Sequence, residues 1–116
     1  MRAAILILVG LGACLSAPAF AGDAAAGAAK AKQVCAACHG EDGNKPLQPD
    51  FPKLGGQHAD YLLHSLKAYK SGARKNPIMM PQAQALSTKE MEDLAAYYAS
   101  QHSTLHVIQL HRLAQD

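Results

Sequence analysis

Apolar and polar positions change their period several times along this chain. Ala3 to Leu15 is apolar at almost every position and shows no helical face. From Gly22 the pattern turns Ala-rich and charged, with Asp23 leading and Lys30 and Lys32 trailing. Alanine has the best helix propensity, and the two charge signs suit the two ends of the helix dipole. The pattern predicts a helix from about Asp23 to about Cys35. Gly27 interrupts it at a cost in stability, which marks a close approach by another element.

Gly40 to Gly56 has no period. Gly40, Gly43, Pro46, Pro49, Pro52, Gly55 and Gly56 predict a loop. Leu62, Leu66 and Tyr69 then recur at helical spacing with Leu63 beside them, within a helix over Gln57 to Lys70 that Ser71-Gly72 ends. Ala73 to Leu86, holding Met79, Met80 and Pro81, reads as a second loop. Ser87-Thr88-Lys89-Glu90 is a capping box, Ser followed three residues on by Glu. The helix it opens runs to about Gln101, with Met91, Leu94, Ala95 and Tyr98 on one stripe and Tyr97 beside it. No strand pattern and no repeat is present. The pattern is all-α, with three to four helices.

The two ends read differently. Arg2, the apolar run, Pro18 and Ala19-Phe20-Ala21 have the three-part form of a secretory signal peptide (residues 1–21), cleaved before Gly22. The run is too short to span a bilayer comfortably. A retained anchor is one alternative. Another is lipid attachment at Cys14, since Leu11-Gly12-Ala13-Cys14 resembles a lipoprotein signal. The Ala-x-Ala site fits better, because a folded pattern begins directly after it. At the other end, residues 102–116 read as a C-terminal extension in which Leu105, Ile108 and Leu113 hint at a short amphipathic helix. The folded domain is then residues 22–101.

Composition sharpens this picture in two ways. The chain has 116 residues, 49% apolar, with no Trp, enough for one small domain. A domain of that size is marginal without help, which a large apolar cofactor would supply. The formal net charge is +2, and without a basic run or Arg-rich face it suggests no nucleic-acid partner. Cleavage after Ala21 removes Arg2 and Cys14, so the charge falls from +2 to +1 and only Cys35 and Cys38 remain of three cysteines.

Those two lie in Cys35-Ala36-Ala37-Cys38-His39, a C-x-x-C-H string, the attachment pattern of haem c. Two thiols three positions apart at the end of a helix reach the two vinyl groups of one haem, each forming a thioether. The next residue, His39, then lies under the iron. A thioredoxin-like redox pair would need a preceding strand, and none is predicted. A zinc site would need four ligands, commonly including a second Cys pair. One covalent haem c is the reading that motif, exported context and helix context share.

An iron held by one His needs a sixth ligand or keeps that position open. Met ligation raises the potential and suits electron transfer. Met79 and Met80, bracketed by Pro77 and Pro81, are the candidates, and spacing alone does not separate them. His58, His64, His102, His106 and His111 could in principle serve a haem enzyme or gas sensor, but no distal constellation is apparent among them.

From about Gly22 to Gln101 the chain closely resembles the class I cytochromes c, most of all one half of a dihaem cytochrome c4. The resemblance rests on Gly22-Asp23-Ala24-Ala25-Ala26-Gly27, Cys35 to Gly40, Asp42-Gly43-Asn44, Phe51-Pro52-Lys53-Leu54-Gly55-Gly56-Gln57, Tyr61-Leu62, Lys70-Ser71-Gly72, Met79, Leu86-Ser87 and Leu94-Ala95-Ala96-Tyr97-Tyr98. It implies helices wrapped around one haem, with the first and last crossing at Gly27 against Leu94 and Tyr97. It implies Met79 as the sixth ligand, seven residues before Leu86, and Pro52 as the carbonyl that orients the His39 ring. The extension beyond Gln101 has no counterpart in that pattern, and a single C-x-x-C-H departs from the dihaem members.

The resulting expectation is a periplasmic monohaem electron carrier, not an enzyme, cycling between Fe(II) and Fe(III) with His/Met ligation. It would meet donor and acceptor redox proteins and make no stable membrane insertion after signal cleavage. The alternatives are a cytochrome subunit of a larger oxidase or dehydrogenase, and a haem sensor or enzyme with an open sixth site.

Overall fold

The computed structural model describes residues 22–105. The signal segment with Cys14, and the extension from His106 with Ile108, His111 and Leu113, lie outside the described residues. Within them the chain forms α1 (Ala24–Val34), α2 (Ala36–His39), α3 (Ala59–Ser71), α4 (Met79–Gln84) and α5 (Thr88–Ala99), with no strand among the described residues.

Two of the three long helices, α1 and α5, start where the sequence supplies a side-chain cap. The Asp23 carboxylate accepts from the N–H groups of Ala25 (2.9 Å) and Ala26 (3.2 Å), two of the unpaired donors of α1. At α5 the Ser87 hydroxyl accepts from Glu90 N–H at 3.2 Å, and the Glu90 carboxylate accepts from Ser87 N–H at 2.8 Å, completing the expected capping box. Gly72 ends α3 in the left-handed conformation (φ 78°), which glycine adopts without penalty.

The first and last long helices cross at Gly27. A Cβ there would lie 2.0 Å from the Asp93 carbonyl oxygen and 2.8 Å from Tyr97 Cβ, so only a glycine permits the approach. Three contacts frame the crossing. Asp23 N–H donates to the Asp93 carboxylate (2.7 Å), Lys30 pairs with Glu90 (2.6 Å), and the Tyr97 hydroxyl donates to the Glu41 carbonyl (2.8 Å). Lys89, one turn before Asp93, also pairs with that carboxylate. α3 packs on α5, and α4 on α3.

The stripe predicted for α5 faces inward as expected, with Met91, Leu94, Ala95 and Tyr98 all buried. Ala31, Leu62 and Leu86 join them. With the two short helices the described residues hold five, against the three or four expected. Pro81 looked like a breaker inside a loop, yet it is the third residue of α4. The first turn of a helix has no acceptor for its N–H groups, so proline is tolerated there. The first residues after Gln101 also carry specific contacts. Asn44, buried in the Gly40–Gly56 loop, donates from its side-chain amide to the His102 carbonyl (2.8 Å) and accepts from the Thr104 hydroxyl (2.9 Å).

Candidate functional site

The C-x-x-C-H string is itself a helical turn. His39 N–H donates to the Cys35 carbonyl at 3.0 Å, which brings Cys35, Cys38 and His39 onto one short element, α2. Gly40 (φ 85°) then turns the chain away, and a Cβ there would meet the Lys45 carbonyl oxygen at 2.7 Å. The two cysteines are free and half-buried. Both line the same cavity, of about 360 Å³, as does His39.

His39 is buried, and its Nδ1 lies 2.9 Å from the Pro52 carbonyl oxygen. A carbonyl only accepts, so Nδ1 is the protonated nitrogen. In the neutral imidazole the lone pair is then on Nε2, the arrangement a metal-ligating His takes when its other nitrogen is engaged. The Phe51 ring stands 6.1 Å from the imidazole, centroid to centroid.

The remaining walls come from the other helices. From α3, Tyr61, Leu62, Ser65, Leu66 and Tyr69 follow the one-face spacing of a helix. From α5 come Leu94, Ala95 and Tyr98. Leu94, expected at the Gly27 crossing, is therefore also a cavity wall. α4 contributes Met79, whereas Met80 is absent from the lining. The Met80 methyl lies towards Gly72 at the end of α3, 4.0 Å from where a Cβ on that glycine would be. Asn76 fixes the start of α4, its side-chain oxygen accepting from the N–H groups of Ile78 and Met79, each at 2.9 Å. Sequence reading passed over Asn76, although Asn just before Pro77 and a helix start is a capping signal. His58, His64 and His102 do not line the cavity.

Two groups at the back of the cavity are perturbed by burial. The Cys35 thiol is pushed up to about 11, first by desolvation, so it stays protonated at neutral pH. The Tyr98 hydroxyl is likewise held above the ordinary phenol range, chiefly by burial. It is also the one buried side-chain polar atom among the described residues without a hydrogen-bond partner.

These residues fit a haem c. The walls are mostly apolar, two thiols stand one turn apart in them, a histidine anchored through Nδ1 has its other nitrogen available, and a methionine comes from a different element. The cavity lies within the size range of small-molecule and cofactor sites.

Comparison with known proteins agrees. A family model described as cytochrome c matches residues 24–101. The chain is 52% identical over 84 residues to cytochrome c-554(548) of Halomonas halodenitrificans, covering 70% of this chain and 99% of that protein. It is 53% identical over 81 residues to cytochrome c4 of Pseudomonas aeruginosa, covering 70% of this chain and 39% of that one. The crystal structure of reduced recombinant cytochrome c4 from Pseudomonas stutzeri matches with a TM-score of 0.65 at 45% identity, over 71% of this chain and 47% of that one. The matched region thus spans nearly all of the first protein and less than half of either cytochrome c4.

Proposed function

The chain belongs to the cytochrome c family and is a haem c electron-transfer protein, and from that premise we propose that it is a monohaem carrier with His39 and Met79 as axial ligands. Cys35 and Cys38 hold the haem through thioethers. The haem supplies the Fe(II)/Fe(III) couple, and the chain supplies attachment, orientation and tuning.

The observation that carries the reading is the pair of supports on either side of the cavity. The Pro52 carbonyl fixes the His39 ring through Nδ1 and leaves Nε2 as the nitrogen available to a metal. Asn76 pins the N-terminal turn of α4 and with it the backbone of Met79, the methionine that lines the cavity. Neither ligand then needs to move when the electron arrives or leaves. The same argument disfavours an open sixth site.

We further propose that the protein works in the periplasm after loss of residues 1–21. Among the described residues no helix is long and apolar enough to cross a membrane. Transient docking to donor and acceptor proteins calls for small, wet interfaces.

Two measurements test this. In the oxidised holoprotein the far-red sulfur-to-iron charge-transfer band is expected to vanish in Met79→Ala and persist in Met80→Ala. Retention of the band in Met79→Ala, or ready carbon monoxide binding by the unaltered reduced protein, overturns the ligand assignment. Intact mass is expected to equal residues 22–116 plus one haem, with haem staining retained under denaturing conditions. Any other mass refutes either the cleavage or the covalent attachment.

A further inference from the structure

Tyr98 presents a polar atom where the packing calls for none. It occupies an inward position of α5, its ring against Gly43, and only 3% of its surface is exposed. The Gly56 N–H donates to its backbone carbonyl at 2.8 Å, so the helix end that carries it is held from outside as well. A phenylalanine would fill the same space. The hydroxyl of Tyr98 instead reaches into the cavity wall with no protein partner. Buried hydroxyls without a partner are rare, and each calls for an explanation.

Cys35 stands in the same cavity wall. Cys35 packs against the cluster that contains Tyr98, and both line the cavity. Each also perturbs the ionisation of the other, with the Tyr98 hydroxyl easing the thiol's burial. A free thiol is both a weak donor and a weak acceptor, so it imposes no direction on a neighbouring hydroxyl. A thioether has lost its proton and can only accept. Attachment of a haem at Cys35 therefore fixes the direction of this contact.

We propose that the Tyr98 hydroxyl donates a hydrogen bond to the Cys35 sulfur once that sulfur is held in a thioether, and that this bond raises the reduction potential of the haem. The inference rests on the attachment reading given above. The positive end of the O–H dipole points at an atom bonded to the macrocycle. It therefore favours the more electron-rich ferrous state. Hydrogen bonding around the cofactor is one of the levers by which a protein sets a haem potential. Tyr98 acts here as a tuning residue, not as a ligand.

The test uses the holoprotein and its Tyr98→Phe variant, which keeps the ring and removes only the hydroxyl. The ferrous-to-ferric ratio at a fixed solution potential is expected to fall about threefold in the variant, ~28 mV at 59 mV per tenfold for one electron. In the reduced, unaltered protein, proton magnetic resonance is expected to show a slowly exchanging Tyr98 hydroxyl proton with through-space contact to the Cys35 β protons. An unchanged or raised potential in the variant overturns the proposal. So does a hydroxyl proton that contacts a haem side chain instead of Cys35. If Tyr98→Phe yields no holoprotein, the resonance experiment on the unaltered protein decides alone. Haem staining under denaturing conditions separates the two levels. Haem released from the unaltered protein brings down the attachment reading and this contact with it, whereas retained haem with no potential shift brings down only the contact.

Discussion

Gly27→Ala sets two physical effects against each other, and the structure says which wins. Helix propensity favours the substitution, since Gly inside a helix is worse than Ala by about 0.5–1 kcal/mol. Packing opposes it. The new Cβ would sit 2.0 Å from the Asp93 carbonyl oxygen and 2.6 Å from its carbon. An ordinary carbon–oxygen contact is about 3.3 Å, so the helices must part by roughly 1.3 Å at that point. The obstacle is backbone, which cannot rotate aside as a side-chain tip can. Parting the helices also stretches the Asp23–Asp93 hydrogen bond and the Lys30–Glu90 pair, which lie on either side of the crossing. Overpacking typically costs 1–3 kcal/mol and sometimes more, so the net loss is about 1–2 kcal/mol after the propensity gain. For a domain of this size that lowers the thermal midpoint by roughly 4–16 °C. Urea unfolding of the holoprotein, followed by far-ultraviolet circular dichroism, measures it. Ala25→Gly, on the exposed side of the same helix, provides the propensity effect alone. If Gly27→Ala proves as stable as the parent or more so, the crossing is not the constraint described here.

Two further outcomes follow from single contacts. Glu90 is held down to about 2, first by the Lys30 ammonium and then by the Ser87 N–H, against an ordinary value of 4.5. A carboxyl lowered in the folded state stabilises fully above its unfolded pKa and loses that contribution as pH falls towards the folded one. Glu90→Gln keeps the capping box but not the charge. Its deficit in urea midpoint against the parent should therefore be largest above about pH 5 and close by about pH 2; a deficit that ignores pH refutes the assignment. Asn44→Ala leaves the His102 carbonyl and the Thr104 hydroxyl without their partner. It should cost about 1–3 kcal/mol in urea unfolding and speed hydrogen exchange at residues 103–105, and normal protection there would count against the clamp.

How much of this was legible in advance depended on whether a residue's role is local. The capping box at Ser87 and Glu90 and the Cys35–Cys38–His39 turn are set by neighbours within one helical turn, and both were readable as written. Choosing Met79 over Met80 needed the resemblance, because adjacent residues share every local property. What separates them is which face of α4 meets the cavity, and that is set by α3 and by the Asn76 cap. Asp93 lies off the apolar stripe of α5 and carries no local signal. It is buried, because the Gly27 crossing brings Asp23 N–H to it from 70 positions away. Tyr98 fell on the core stripe as expected. Its hydroxyl, however, has a role only in relation to Cys35, which belongs to a different helix. α4 was missed because Pro81 punctuates a sequence in the same way whether it ends a helix or sits in its first turn.

The arrangement of the core explains why attachment and fold belong together. The buried apolar core among the described residues is small: Leu62, Leu86, Met91, Leu94 and Tyr98, with three alanines beside them. Leu62, Leu86, Leu94, Ala95 and Tyr98 are at once the core and the cavity wall. The domain therefore has no separate interior against which a cofactor merely docks; a bound haem would be the missing centre. A group held there by packing alone would leave whenever α1 and α5 separated. The proposed thioethers at Cys35 and Cys38 would tie it to the chain, so reclosure would meet an effectively intramolecular partner, not a dilute one. The same tether would hold the haem against His39, whose ring the Pro52 carbonyl already orients. A small helical chain with little core of its own gains a defined interior and a defined iron site from one five-residue turn.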